Sequence, residues 1–391
     1  MQYDQTMKKS PLLSIFLVVF LDLVGFGIVI PILPYYSKAF GASAFTLGWL
    51  MASYSITQFL FAPFWGSLSD RYGRRPILLA TIAGGSLAML LTGMANSLAL
   101  LFLGRLVAGA FGANISTASA YIADVTKPED RAKGMGIIGA SFGLGFIFGP
   151  AIGGILSPNG YNVPILLAAG LGALNFLITY IQLEEPKIAR ETRTENRRHL
   201  SWSLVKECFS LPGTGTPIAL FFFGTTAFTQ LEVAFGLFVL SRYGYDARHA
   251  GFLLAGMGVI GVFIQGGAIG KLAKRFGEMN LLRIGYFSLG LAMLVAGFTL
   301  NPKLFIVSLA FIALGNSLVN PSLSSLLSKA APENRKGAFL GVYQSAGSLA
   351  RIVGPPISGF FFDHLGPPSP IFCASFFMIV IAIYSALRKA L

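Results

Sequence analysis

Apolar residues run along the chain in long blocks separated by short polar breaks. Twelve blocks stand out, at 11–36, 45–68, 76–96, 98–123, 134–156, 162–183, 215–241, 248–271, 279–299, 303–328, 337–362 and 369–387. A helix rises 1.5 Å per residue, so roughly 20 apolar residues cross a hydrocarbon layer ~30 Å thick. Each block therefore predicts a transmembrane helix, and the longer ones predict tilt or ends that leave the bilayer. The first block, Pro11 to Tyr36, is too long for the apolar core of a cleavable leader. The one long polar stretch, Glu184 to Pro212, carries Lys187, Arg190, Glu191, Arg193, Glu195, Arg197 and Arg198 and divides the blocks six and six. The reading is an N-terminal bundle over 1–183, a solvated linker over 184–212 and a C-terminal bundle over 213–391.

The halves repeat. Gly66-Ser67-Leu68-Ser69-Asp70-Arg71-Tyr72-Gly73 matches Gly270-Lys271-Leu272-Ala273-Lys274-Arg275-Phe276-Gly277. Pro128-Glu129-Asp130-Arg131 matches Pro332-Glu333-Asn334-Arg335, and Gly149-Pro150-Ala151-Ile152-Gly153-Gly154 matches Gly354-Pro355-Pro356-Ile357-Ser358-Gly359. The offset stays at 204 or 205 residues. Six spans preserve direction, so the copies run in the same sense. The expected fold is an all-α membrane protein with twelve transmembrane helices in two parallel six-helix halves, the plan of many secondary transporters.

Composition agrees. Hydrophobic residues make up 54% of the chain and charged ones 12%, about half the charged share of a soluble domain. This excludes a soluble or disordered chain. The net charge of +13 is explained by topology. With the N-terminus placed in the cytoplasm, 23 of the 29 basic residues fall in cytoplasmic segments, 4 in outer ones, and Arg105 and Arg351 within spans. Nucleic-acid binding is then unnecessary. Cys208 and Cys373 form no disulfide framework. His199, His249 and His364 lie at loops or span ends and have no metal-ligand spacing. No nucleotide loop or nucleophile elbow appears, so neither an enzyme nor an ATP-driven pump is expected, and no cofactor beyond the proton as coupling ion.

At several motifs the chain resembles the major facilitator superfamily. Gly66 to Arg75 is similar to its signature loop between spans 2 and 3. Gly145-Phe146-Ile147-Phe148-Gly149-Pro150-Ala151-Ile152-Gly153-Gly154 resembles the span 5 motif of its antiporters. Leu21-Asp22-Leu23-Val24-Gly25-Phe26-Gly27-Ile28-Val29-Ile30-Pro31, Gly104-Arg105-Leu106-Val107-Ala108-Gly109 and Ala120-Tyr121-Ile122-Ala123-Asp124 are similar to spans 1 and 4 of its drug:proton antiporters, tetracycline efflux proteins in particular. Those exporters also carry acids within spans 3 and 9. Here Ile77–Asn96 and Met279–Thr299 hold none, so the resemblance does not extend to a metal–tetracycline substrate. It implies proton-coupled efflux of a small hydrophobic or amphipathic compound from a bacterial inner membrane. The alternative is a proton-coupled importer of a sugar or other nutrient; a polytopic enzyme or receptor fits less well. One chain supplies both halves, so a monomer suffices.

Charges inside a membrane mark function by default. Asp22 lies about 11 residues into span 1, ~16 Å deep, and Arg105 at a matching depth in span 4. They read either as a proton-coupling switch or as a static packing pair. Glu232 and Arg351 share a depth of ~21–22 Å in spans 7 and 11; Glu232 is the second candidate proton site. The family plan also implies that Asn114, Gln230, Asn316 and Asn320 line the substrate cavity, whereas Gln58, Asn175, Gln265 and Gln344 read as interhelical hydrogen-bonding groups. It implies a cytoplasmic gate of Gly66, Asp70, Arg71, Gly73, Arg74, Arg75 and Asp124, with Asp70 latching onto the start of span 11 when the transporter faces outward and Asp124 pairing with Arg71 or Arg74. Gly145, Gly149 and Gly153, four apart, and Gly154, with Pro150 to bend the helix, are expected to form a close interface between the halves.

Overall fold

The computed structural model describes residues 11–126, 131–186 and 202–387. Lys8, Lys9, Lys127, Pro128, Glu129, Asp130, residues 187–201, Arg388 and Lys389 lie outside the described residues, as do the side chains of Arg131 and Lys133. The described helices are α1 (Pro11–Ala39), α2 (Ala44–Tyr72), α3 (Arg74–Gly93), α4 (Leu98–Ala110), α5 (Asn114–Val125), α6 (Arg131–Leu156), α7 (Asn162–Gln182), α8 (Trp202–Ser210), α9 (Gly215–Tyr243), α10 (Ala247–Phe263), α11 (Ile269–Phe276), α12 (Glu278–Phe298), α13 (Pro302–Ala330), α14 (Lys336–Leu365) and α15 (Ser369–Leu387). No strand occurs among the described residues. The twelve expected spans are all present.

Two spans are more complex than a hydropathy block reveals. Span 4 is broken at Phe111-Gly112-Ala113 into α4 and α5. Backbone groups freed inside a membrane must find partners. Here α2 supplies them: Trp65 Nε1 donates to Ala110 O at 2.6 Å and Gln58 Nε2 to Gly112 O at 2.8 Å. Span 8 contains a π-helical turn, Ile264–Ala268, between α10 and α11.

Ten of the spans are long and apolar enough to cross a membrane by composition alone; α2 and α14 fall short. The shortfall follows from their placement, because these two helices pack on each other between the halves. They carry Tyr54, Ser55 and Gln58, and Gln344 and Arg351, toward the interior.

Part of the expected linker is also ordered: α8 buries Leu204 and Cys208, and Glu207 pairs with Arg335 just ahead of α14. Burial pushes the Cys208 thiol up, with the Glu207 carboxylate adding to the effect.

The turn at Gly73, the α7–α9 connection and the α11–α12 and α13–α14 turns share one end of the bundle. Arg71, Arg74, Arg75, Lys206, Lys271, Lys274, Arg275, Arg283, Lys329, Arg335 and Lys336 lie there, and we refer to it as the basic end.

The first-half helices meet the second-half ones mainly as α2 on α14 and α6 on α10. The close approaches lie toward the end opposite the basic one. A Cβ on Gly48 would strike Pro355 and Pro356, and one on Gly359 would strike Ala44 and Phe45. The Asp363 carboxylate accepts from Ala44 N (3.1 Å) and Phe45 N (2.9 Å), capping α2 from the other half. Tyr35 Oη donates to Tyr245 O at 3.1 Å. Toward the basic end the contacts thin out. Beyond Ser55 only Ser69 of α2 is buried, Leu60 and Phe64 are exposed, and α11 buries nothing. The halves therefore splay open at the basic end.

Candidate functional site

The splayed halves enclose a central cavity of about 460 Å³. Asp22 (α1), Arg105 (α4), Glu232 (α9) and Arg351 (α14) all line it. A second chamber of about 350 Å³ extends into the C-terminal half and shares Thr229, Glu232, Gln344 and Arg351 with the first. Most of the remaining wall of the larger chamber is apolar, with Phe26, Phe111, Phe142 and Phe146 among its rings.

Asp22 and Arg105 do not form the expected pair. Asn114, the first residue of α5, donates from Nδ2 to Asp22 Oδ1 at 2.7 Å. The span 4 break puts that amide beside the acid. Arg105, 5% exposed, instead lays its guanidinium over the Tyr54 ring, 4.5 Å from the centroid, and its Nε has no hydrogen-bond partner. Among the described residues neither Arg105 nor Arg351 makes an ion pair. A static Asp22–Arg105 bridge is thus absent from this conformation: an amide holds the acid and an aromatic face holds the cation. Asn114 Oδ1 is also buried without a partner.

The expected cavity liners divide. Asn114 faces the larger chamber, and Asn316 and Asn320 face the smaller, with Asn320 Nδ2 donating to Asn316 Oδ1 at 3.3 Å. Gln230 does not face the central cavity. It is 1% exposed and points away from it, into a groove against α14 and α15. Its neighbours Thr229 and Glu232 hold the cavity face of α9 instead. Residues 230 and 232 lie about 200° apart around a helix, a separation that counting depth alone does not register. Gln58 and Gln344, read as interhelical hydrogen-bonding groups, both line the cavity, and Gln58 also makes its interhelical bond to Gly112 O. Asn175 bridges helices, donating to Val18 O at 2.9 Å.

At the basic end, Arg74 joins three helices. It pairs with Asp70, donates to Ser69 Oγ at 3.0 Å and meets Asp124 Oδ2 at 2.8 Å. The Asp70–Arg74 pair ties the loop to its own half in this conformation. Gly73, at φ +108°, makes the reversal. Arg71 lies over Tyr72 and Arg75 over Tyr180, while a Cβ added to Gly66 would meet nothing within 4 Å. Glu185 was not anticipated. Its carboxylate accepts from both Arg74 N and Arg75 N at 2.7 Å, capping the positive end of α3. Only its position in an acid pair just after span 6 hinted at it.

The span 5 glycines also divide. Cβ atoms on Gly145, Gly149 and Gly153 would collide with Leu23, Gly27 and Ile28 of α1, in the same half. Gly154 alone of the four meets the other half, at Arg248 and Gly251, and Gly251 in turn abuts Pro150 O. Gly145, Gly149 and Gly153 therefore pack within the first half, while Gly154, Pro150 and Phe146 of the motif meet α10 of the other half, where Gly251 and Gly258 approach them.

The model of the Major Facilitator Superfamily matches residues 15–355 and 287–390. The tetracycline resistance protein, class B, of Escherichia coli is 32% identical over 351 residues, covering 89% of this chain and 87% of that protein. Multidrug resistance protein 2 of Bacillus subtilis (strain 168) is 28% identical over 366 residues, covering 93% and 91%. A bacterial homologue of the human lysosomal transporter Spinster, solved inward-facing and occupied, superposes with a TM-score of 0.81 at 15% identity over 96% of this chain and 95% of that one. The chain belongs to the Major Facilitator Superfamily, and is an integral membrane transporter of small molecules with its twelve-helix fold.

Proposed function

We propose that this member of the superfamily exports a small hydrophobic or amphipathic compound, a drug among its class, in exchange for protons by alternating access. The observation that carries this is one cavity, open at a single end, in which a membrane-embedded carboxylate and an unpaired arginine share the wall with aromatic rings. Similarity to tetracycline and multidrug resistance proteins across about 90% of the chain supports the direction. The lack of acids within α3 and, past Glu278, within α12 argues for a substrate other than metal–tetracycline. On this reading the protein sits in a bacterial cytoplasmic membrane as a monomer, with both termini and the basic end in the cytoplasm. The described conformation is then inward-open. Residues 1–183 and 213–391 act as the rocking halves, joined by 184–212.

Asp22 is the proton-coupling acid in this scheme, with Glu232 the second site and Arg105 and Arg351 their mobile charge partners. Asn114 suits both protonation states. Its Nδ2 donates to the carboxylate, and after rotation of the amide its free Oδ1 accepts from the protonated acid. Asp70, Arg71, Arg74, Arg75 and Asp124, with Gly66 and Gly73, form the cytoplasmic gate, which closes when the halves rock. Counterflow in proteoliposomes, using lipophilic dyes and antibiotics as substrates, tests the function. Accumulation of the compound against an opposing proton flux is expected. Movement of compound and protons in the same direction would overturn antiport.

A further inference from the structure

The smaller chamber differs in character from the larger one. Thr229, Glu232, Gln344 and Arg351 line both, and so stand where the two meet. Beyond this junction Thr225, Asn316, Asn320 and Ser324 bring polar groups to the wall of the smaller chamber. The bond from Asn320 Nδ2 to Asn316 Oδ1 leaves the Asn316 amide nitrogen and the Asn320 carbonyl oxygen free, one donor and one acceptor.

Glu232 and Arg351 are both exposed to these chambers. Among the described residues neither enters an ion pair. The other two charges of the cavity are engaged: Asp22 by Asn114 at 2.7 Å, and Arg105, 5% exposed, by the face of Tyr54. A carboxylate and a guanidinium left open at one junction, away from bulk water, are matched by a ligand that brings the complementary pair of charges. An ammonium on Glu232 excludes a proton from that carboxylate, as exchange of substrate for protons requires. A ligand carrying only an anion would bind better once the acids are protonated, and by reciprocity would travel with protons.

We propose that the substrate is a zwitterionic amphiphile. Its apolar body occupies the larger chamber among the phenylalanine rings, and its head enters the smaller one with a cationic nitrogen on Glu232 and a carboxylate or similar anion on Arg351. The assignment rests on the efflux reading above and narrows it. The free amide groups of Asn316 and Asn320 replace water around the head. The rings discriminate weakly between apolar bodies of similar size, so selection falls to the polar chamber.

The test uses the full chain in nanodiscs and four probes built on one fluorescent planar body: a free amino acid, its methyl ester, its N-acetyl derivative and the N-acetyl methyl ester. These are zwitterion, cation, anion and neutral compound. Fluorescence anisotropy at neutral pH should show the zwitterion binding roughly 10-fold tighter than the ester or the N-acetyl derivative, the scale of one charge-assisted hydrogen bond. Glu232→Gln should bring the zwitterion down to the N-acetyl derivative, and Arg351→Gln should bring it down to the ester. Ser324→Phe, which fills the smaller chamber alone, should weaken the zwitterion and spare the neutral compound. Binding of the neutral compound reports that each variant is folded. Equal binding of zwitterion and ester in the unaltered protein, or a preference that survives Glu232→Gln or Arg351→Gln, would overturn the proposal. Ser324→Phe weakening all four probes alike would overturn the placement of the head. Counterflow of the same probes separates this from the efflux reading. Exchange against protons with no preference for the zwitterion defeats only the head-group assignment, whereas a preferred zwitterion that moves with protons defeats antiport.

Discussion

Asp22 and Asn114 meet at 2.7 Å with the amide as donor, and nothing in the spacing of the sequence links residues 92 apart. Depth along a helix could be counted, and it brought Asp22, Arg105, Glu232 and Arg351 to the same region. Partner choice could not, because it depends on helix rotation and on the break that swings Asn114 inward. Asp22→Asn keeps the size of the side chain and removes the proton site. It is expected to abolish transport driven by a pH gradient while equilibrium dye binding survives; retained pH-driven flux would remove Asp22 from the mechanism. Asn114→Leu deletes both amide groups and should lower proton-driven flux at least ~10-fold, the scale of one charge-assisted hydrogen bond. A residue outside the spans gives a stability test. Asp246 caps α10, accepting from His249 N at 3.0 Å. Burial raises its carboxyl, but bonds from the His249 backbone and ring and from Arg248 outweigh this and hold it below the usual range. A depressed folded value contributes stability above the unfolded value and loses it as pH falls through the folded one. Thermal unfolding of the unaltered protein should therefore fall off below about pH 4, and Asp246→Ala should flatten that window while costing ~1 kcal/mol at neutral pH.

At the level of elements, length and polarity identified every span, whereas the faces of those spans stayed hidden. Gly145, Gly149, Gly153 and Gly154 form one sequence motif but serve two interfaces, because successive residues on a helix point about 100° apart. The two interfaces are experimentally separable. Gly149→Val forces a side chain into the backbone of α1 and should cost roughly 1–3 kcal/mol of stability, seen as lower yield and a lower unfolding temperature. Gly154→Val acts where the halves meet and should leave folding closer to normal while disfavouring closure at the end opposite the basic one. Distances between spin labels across that end would report the change; an unchanged distribution would exclude Gly154 from the closure. The break in span 4 was invisible for a related reason. A Gly-Ala-Asn sequence is tolerated within a helix, and only Trp65 and Gln58, waiting on α2 with matching donors, make interruption cheap.

For the molecule as a whole, the repeat and the basic asymmetry were readable, and the open end was not, since both conformations use the same spans. Asp363 is the polar group holding α2 to α14 at the closed end. Asp363→Ala should cost about 1 kcal/mol of that closure and shift the conformational ratio roughly fivefold, measurable as altered cysteine accessibility at the two ends. The α2–α14 seam also bears on how the protein is made. These are the two spans not apolar enough to qualify alone, so each enters the bilayer weakly without company. The face of α2 is completed by a helix that begins about 290 residues later, a delay of roughly 15–60 s at ribosomal rates of about 5–20 residues per second. Until then its polar side chains depend on α4 and α5. The nascent chain must therefore shelter a half-built transport path through most of its own synthesis, and that interval is when quality control has its best opportunity to act.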